Sequence, residues 1–138
     1  MYKRIMVPVD LAHVAALDKA ITTAADLARH YGGALVLVGA TGSEPSSVAR
    51  SPEDFAARLA EFAKGIGDRF GVATSSDALH LHDLTIDLDP KLAGHAGEIG
   101  ADLIVMASHV PGVADYLFGS NAGKLAQHAK MSVMVVRP

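Results

Sequence analysis

The chain contains no cysteine, which excludes disulfides, thiolate metal sites and a cysteine nucleophile, and is compatible with a reducing compartment. Aromatic residues are scarce, at 5%, although half of the chain is hydrophobic. The apolar mass is therefore Ala, Val, Leu and Ile, the composition of helices layered on a sheet. Charge of one sign is also lacking: 12 basic and 15 acidic residues leave a net charge of -3. No global field draws such a chain to nucleic acid or to an anionic membrane surface. Long apolar runs are absent, and none approaches the ~20 residues needed to span a bilayer. Near the amino terminus Asp10 cuts the run IMVPV after five residues, too short for a signal-peptide core. These absences lead us to expect a soluble cytoplasmic protein with neither nucleic acid nor membrane as partner. At 138 residues, one domain over 1–138 suffices, since a chain of this size buries roughly 68 to 70% of its unfolded surface.

What is present alternates between two periods. Residues 5–9 form a short apolar run, predicting a strand buried on both faces. Leu17, Ala20, Ile21, Ala24, Leu27, Ala28 and Tyr31 then recur at helical spacing, predicting a helix over about 15–30 that Gly32 and Gly33 end. A second buried strand is expected at 34–40, followed by a loop over 41–51 rich in Ser, Gly and Pro. Ser51, Pro52, Glu53 and Asp54 make a capped helix start. Phe55, Leu59, Phe62, Ile66 and Phe70 line one face of that helix. Leu79, Leu81 and, at its end, Leu84 read as a weaker third strand, with His80 and His82 on its polar face near a sheet edge. Asp89 and Pro90 repeat the cap-plus-proline start, with Leu92, Ala96 and Ile99 facing the core until Gly100. A fourth strand (101–107), a fourth helix (120–129) and a fifth strand (132–136) complete the chain. The order β-α-β-α-β-α-β-α-β predicts an α/β fold, a single open, mostly parallel five-stranded sheet with helices on both faces. No internal repeat or low-complexity tail is found.

Such sheets bind ligands at their carboxyl edge, and connectivity brings residues 8–10, 39–42 and 107–121 to that rim. Gly119, Ser120 and Asn121 open the fourth helix with a flexible residue, a hydroxyl and free N-H groups, an arrangement that either holds an anion or simply caps the helix. Asp10 ends the first strand, where a carboxylate either receives ribose or base hydrogen bonds or caps the next helix. A P-loop is rejected: three residues separate Gly119 from Gly123, and Leu125 stands where Ser or Thr would hold magnesium. Lys124, in the second turn of the fourth helix, is then either a phosphate contact or, as the better reading, a solvated surface side chain. A GxGxxG fingerprint and a G-x-S-x-G elbow are absent, and Ser108 beside His109 makes no nucleophile and base pair. His80 and His82 could share a metal with Asp83 or Asp87, but a polar edge-strand face explains them equally. His109 lies in the rim loop, whereas His13, His30, His95 and His128 read as helix-surface or cap residues.

Several stretches resemble the universal stress protein family: IMVPVD at 5–10, Gly32-Gly33-Ala34, Asp89-Pro90, ADLIVMASH at 101–109, GSNA at 119–122 and the closing HAKMSVMVVRP. The resemblance covers nearly the whole chain. Its nucleotide-binding branch has a motif of G, two residues, G, nine residues, G, then Ser or Thr. Here Ala107 and Val110 stand at the first two glycines, and eight residues separate Val110 from Gly119. The run ASHVPGVADYLFGSNA is similar to a subgroup of nucleotide binders with an altered loop, in which Gly112 supplies flexibility. The resemblance implies ATP or AMP, with or without magnesium, as the ligand of a stress-response regulatory module. It places Pro8, Val9 and Asp10 near adenine and ribose and Ala40 beside the base. Ala107, His109, Val110, Gly119, Ser120 and Asn121 fall around the phosphates. It also implies a homodimer through the last strand, between Val133 and Arg137, where a short apolar edge invites pairing. A dimer with a degenerate pocket and a slow ATPase relying on Asp10 and His109 are the alternatives.

Overall fold

The computed structural model describes residues 1–82, 84–108 and 122–138, leaving aside the side chains of 84–87. Five strands, β1 (Arg4–Pro8), β2 (Ala34–Thr41), β3 (Ala73–His80), β4 (Leu103–Ala107) and β5 (Ser132–Val136), form one sheet in the order β3-β2-β1-β4-β5. Every neighbouring pair is parallel, with Val7 opposite Leu37 and Ile5 opposite Leu103. Right-handed crossovers put α1 (Asp18–Tyr31) and α2 (Pro52–Phe70) on one face, and α3 (Leu84–Glu98) and α4 (Ala122–His128), which pack together, on the other. The expected α/β sheet is thus present.

Burial follows the composition. Ile5, Met6, Leu35, Leu37, Ile104 and Met106 are fully enclosed in the central strands, which is why these read as continuous apolar runs. Small residues let α1 lie close: Ala20, Ile21, Ala24, Ala25 and Ala28 are buried, and Gly32 ends the helix at φ 64°, where a side chain would be strained. Ser51 Oγ accepts from the Asp54 N-H at 3.1 Å to cap α2. Phe55, Leu59, Ala63 and Ile66 form the buried stripe of α2, while Phe62 and Phe70 pack only partly against the core. Between the two amino ends, the Asp102 carboxylate accepts from the Lys3 N-H at 2.8 Å and the Arg4 N-H at 3.2 Å, joining β1 to the start of β4.

Three expectations are corrected. The third strand begins at Ala73 and ends at His80, so Leu84 belongs to α3. Its first six residues, ATSSDA, are an edge segment lacking large apolar residues, and pairing with β2 rather than side-chain pattern makes them a strand. Secondly, α3 starts before Asp89 and Pro90, leaving Pro90 inside the helix. A helical proline costs about 3 kcal/mol, but Leu88, Leu92 and Ala96 form one buried stripe across it. Two enclosed leucines contribute about 1.5–3 kcal/mol each, enough to offset it. Asp89 consequently caps nothing, and its Oδ1 is buried without a hydrogen-bond partner. Thirdly, a 3₁₀ helix, Leu11–Leu17, precedes α1, with non-helical backbone at His13.

Candidate functional site

A cavity of about 570 Å³ opens at the carboxyl edge of β1 and β2, within the range of small-molecule sites. Val9, Ala40 and Phe55 give it an apolar floor; Asp10 and the start of the 3₁₀ helix form one wall, and the loop after β2 forms the other. The Val9 N-H donates to the Val38 carbonyl at 2.8 Å, which carries the β1 ladder one residue past the strand and fixes Asp10 at the rim.

Asp10 is 8% exposed. Its Oδ1 accepts from the Ala12 N-H at 3.0 Å, and its Oδ2 lies 2.9 Å from His13 Nδ1. The carboxylate therefore caps the 3₁₀ helix, one of the two roles open to it in the sequence, and also engages His13, which reads from sequence as a helix-surface or cap residue. A carboxylate only accepts hydrogen bonds, so Asp10 brings an acceptor to this wall of the cavity.

The opposite wall is pinned rather than loose. Ser46 Oγ accepts from the Val48 and Ala49 N-H groups at 3.2 and 3.3 Å, and the Ser46 N-H donates to the Ala49 carbonyl at 2.9 Å. Ala49 is buried and anchors the loop end. Asp54 Oδ2 accepts from the Arg50 N-H at 2.9 Å. That bond, followed by the Arg58 guanidinium, lowers the Asp54 carboxyl below the ordinary range. At the cavity mouth Ser43 Oγ lies 2.9 Å from His80 Nε2, and His82 closes the lining.

Of the residues expected at the rim, Val9, Asp10 and Ala40 meet in this cavity, and Pro8 lies just behind them, buried in β1. Ala107 ends β4, on the other side of β1 from the cavity. His109, Val110, Gly119, Ser120 and Asn121 lie outside the described residues, as does Gly112. Lys124 is exposed on α4. The rings of His80 and His82 are 6.4 Å apart. No group of three or more His, Cys, Asp or Glu among the described residues is placed to hold a metal. His95, read from sequence as a helix-surface residue, instead ties α3 to β3, with Nε2 at 2.8 Å from Asp77 Oδ2. Sequence reasoning missed Ser43, Glu44, Phe55 and His82 as cavity residues. For Ser43 and Glu44 the signal was available: a Ser-, Gly- and Pro-rich loop leaving a buried strand at the carboxyl edge is where α/β proteins build sites.

Comparison with known proteins bears on this geometry. A sequence model described as the universal stress protein family matches residues 1–137. The chain is 31% identical over 150 residues to universal stress protein G of Shigella flexneri, covering 99% of this chain and 100% of that one. A solved structure from the universal stress protein family of Burkholderia pseudomallei superposes with a TM-score of 0.72 at 25% identity, covering 98% of this chain and 96% of that chain. The universal stress protein of Archaeoglobus fulgidus in complex with dAMP superposes with a TM-score of 0.69 at 23% identity, covering 97% of each chain. Matched over nearly its whole length in sequence, and built on the same sheet, the chain belongs to the universal stress protein family.

Proposed function

We propose that this protein binds an adenine nucleotide, ATP or AMP, at the carboxyl edge of its sheet and acts as a stress-response regulatory module. The observation that carries the proposal is the cavity joining Val9, Asp10 and Ala40, an apolar floor with a carboxylate at its wall. In this reading the base lies over Ala40 and Phe55, and the ribose hydroxyls donate to Asp10. The phosphates run toward the β4 end, where Ala107 stands and where His109, Val110, Gly119, Ser120 and Asn121 follow in sequence. Magnesium, where used, enters with the phosphates. The dAMP complex of the Archaeoglobus fulgidus relative supports the ligand class.

Calorimetric titration with AMP and ATP, with and without magnesium, tests this, and binding in the micromolar to millimolar range is expected. Asp10→Asn should keep the helix cap, because Asn caps as well as Asp, yet bind several-fold more weakly, because a neutral acceptor, worth about 0.5–1.5 kcal/mol, replaces a charged one worth about 1.5–3 kcal/mol. No heat from the wild-type protein across that range would overturn the reading. One observation favours a second reading, a dimer with a degenerate pocket: Asp10 already caps its own helix. The two readings separate on the same titration.

Two further parts belong to the proposal. The protein pairs as a homodimer through β5, supported by the exposure of Met134 and Val135 on that edge strand. It works in the cytoplasm, with which the cysteine-free composition is compatible.

A further inference from the structure

The wall of the cavity that follows β1 begins as a turn of 3₁₀ helix, and its winding decides what stands over Asp10. With three residues per turn, side chains three apart eclipse. The His13 N-H donates to the Asp10 carbonyl at 3.0 Å, which closes that turn and returns the chain over Asp10. At His13 the backbone leaves the helical range, at φ -137° and ψ 44°, and Nδ1 of its ring lies 2.9 Å from Asp10 Oδ2. A carboxylate only accepts, so Nδ1 is the donor of this bond. The pair is sheltered, with side chains 20% and 10% exposed.

The terminal torsion of an aspartate is broad, so a carboxylate held at one oxygen still turns about its Cβ–Cγ bond. The Ala12 N-H holds Oδ1 at 3.0 Å, a backbone bond that asks for no particular side chain at position 13. The imidazole takes the other oxygen, and donors on both oxygens define the plane of the group. Among the described residues, this wall of the lining comprises Asp10, Leu11 and Ala12, so His13 reaches a ligand through Asp10. A group oriented before binding lowers the ordering cost of the complex.

We propose that His13 is a positioning residue, whose hold on Oδ2 turns the Asp10 carboxylate to face the ribose hydroxyls of the nucleotide. The inference rests on the nucleotide reading of the cavity. It divides the duties of Asp10 between its oxygens: the Ala12 N-H serves the helix, and the imidazole serves the ligand.

Calorimetry on the full chain with AMP and with 2′,3′-dideoxyadenosine monophosphate, which keeps base and phosphate but has no hydroxyl for Asp10, tests this. The wild type should favour AMP. His13→Ala should weaken AMP binding about 3- to 10-fold, leave the dideoxy compound nearly unchanged, and so bring the ratio of the two affinities toward one. His13→Phe, which keeps a ring but has no donor, should behave like His13→Ala. His13→Asn places an amide nitrogen where Nδ1 stands and should restore most of the AMP affinity. In an Asp10→Ala background, His13→Ala should change AMP binding no further. The Ala12 cap survives in each single His13 variant, so these should melt close to the wild type. A ratio unchanged in His13→Ala, failure of Asn to restore binding, or an equal further loss without Asp10 overturns the role of His13 while the nucleotide reading stands. Absence of AMP binding by the wild type overturns both.

Discussion

Asp10 carries a structural duty and a proposed ligand contact on one carboxylate, and substitutions separate them. Asp10→Ala removes the acceptor for the Ala12 N-H and should lower stability by about 0.5–2 kcal/mol, the usual cost of a lost cap. Asp10→Asn should cost much less, so the urea midpoints of the two variants should differ. Gly39 has a different reason for its identity. A Cβ there would lie 2.8 Å from Phe55 Cζ and 3.2 Å from Leu59 Cδ2, and Phe55 is a buried ring on the cavity floor. Gly39→Ala should therefore destabilise the fold by about 1–3 kcal/mol through overpacking. The check is a lower denaturation midpoint with an unchanged slope. Nothing in the run ALVLVGA announces this contact, since the ring that needs the space is supplied from α2.

Helix α2 shows what can be read from a sequence when a signal is local. Ser51, Pro52 and the acids behind them are contiguous, and the structure uses them as a cap and a first turn. Ser51→Ala should cost about 0.5–2 kcal/mol, seen as a lower melting temperature. Asp54 adds a pH dependence. Its carboxyl titrates below the ordinary range in the folded chain, so the unfolded chain binds the proton more readily. The contribution of Asp54 is complete above the unfolded carboxylate value and disappears as pH falls through the folded one. Asp54→Asn should flatten the stability profile below about pH 4 and leave the neutral-pH slope unaltered. Elements set by distant partners were less legible. The first half of β3 is a strand because β2 lies beside it, and α3 crosses Pro90 because Leu88, Leu92 and Ala96 bury together. For the same reason Asp10 and Ala40 could be brought to one rim from connectivity, whereas His82 needed the register of β3 against β2.

At the scale of the molecule, the sheet formed by the described residues has two edge strands of unlike character. The β3 edge presents Ser75, Asp77 and Ala78, whereas β5 presents Met134 and Val135, 39% and 37% exposed. Charge on an edge strand discourages pairing. If β5 is the seam between two copies, Val135→Lys should shift the protein toward monomer in sedimentation at micromolar concentration, while Ser75→Lys on the other edge should not. A variant that sediments like the wild type would remove β5 from the interface. The centre of the sheet has a consequence of its own for how the molecule is made. Strand β1 lies between β2 and β4, and its amino end is fastened to Asp102. A ribosome releases β1, β2 and β3 well before β4, so the nascent sheet waits with an apolar central strand open along one side. Closing so long a loop is slow. Until Asp102 emerges, the growing chain exposes the template that β4 will later cover, and this is the interval in which a chaperone would find it.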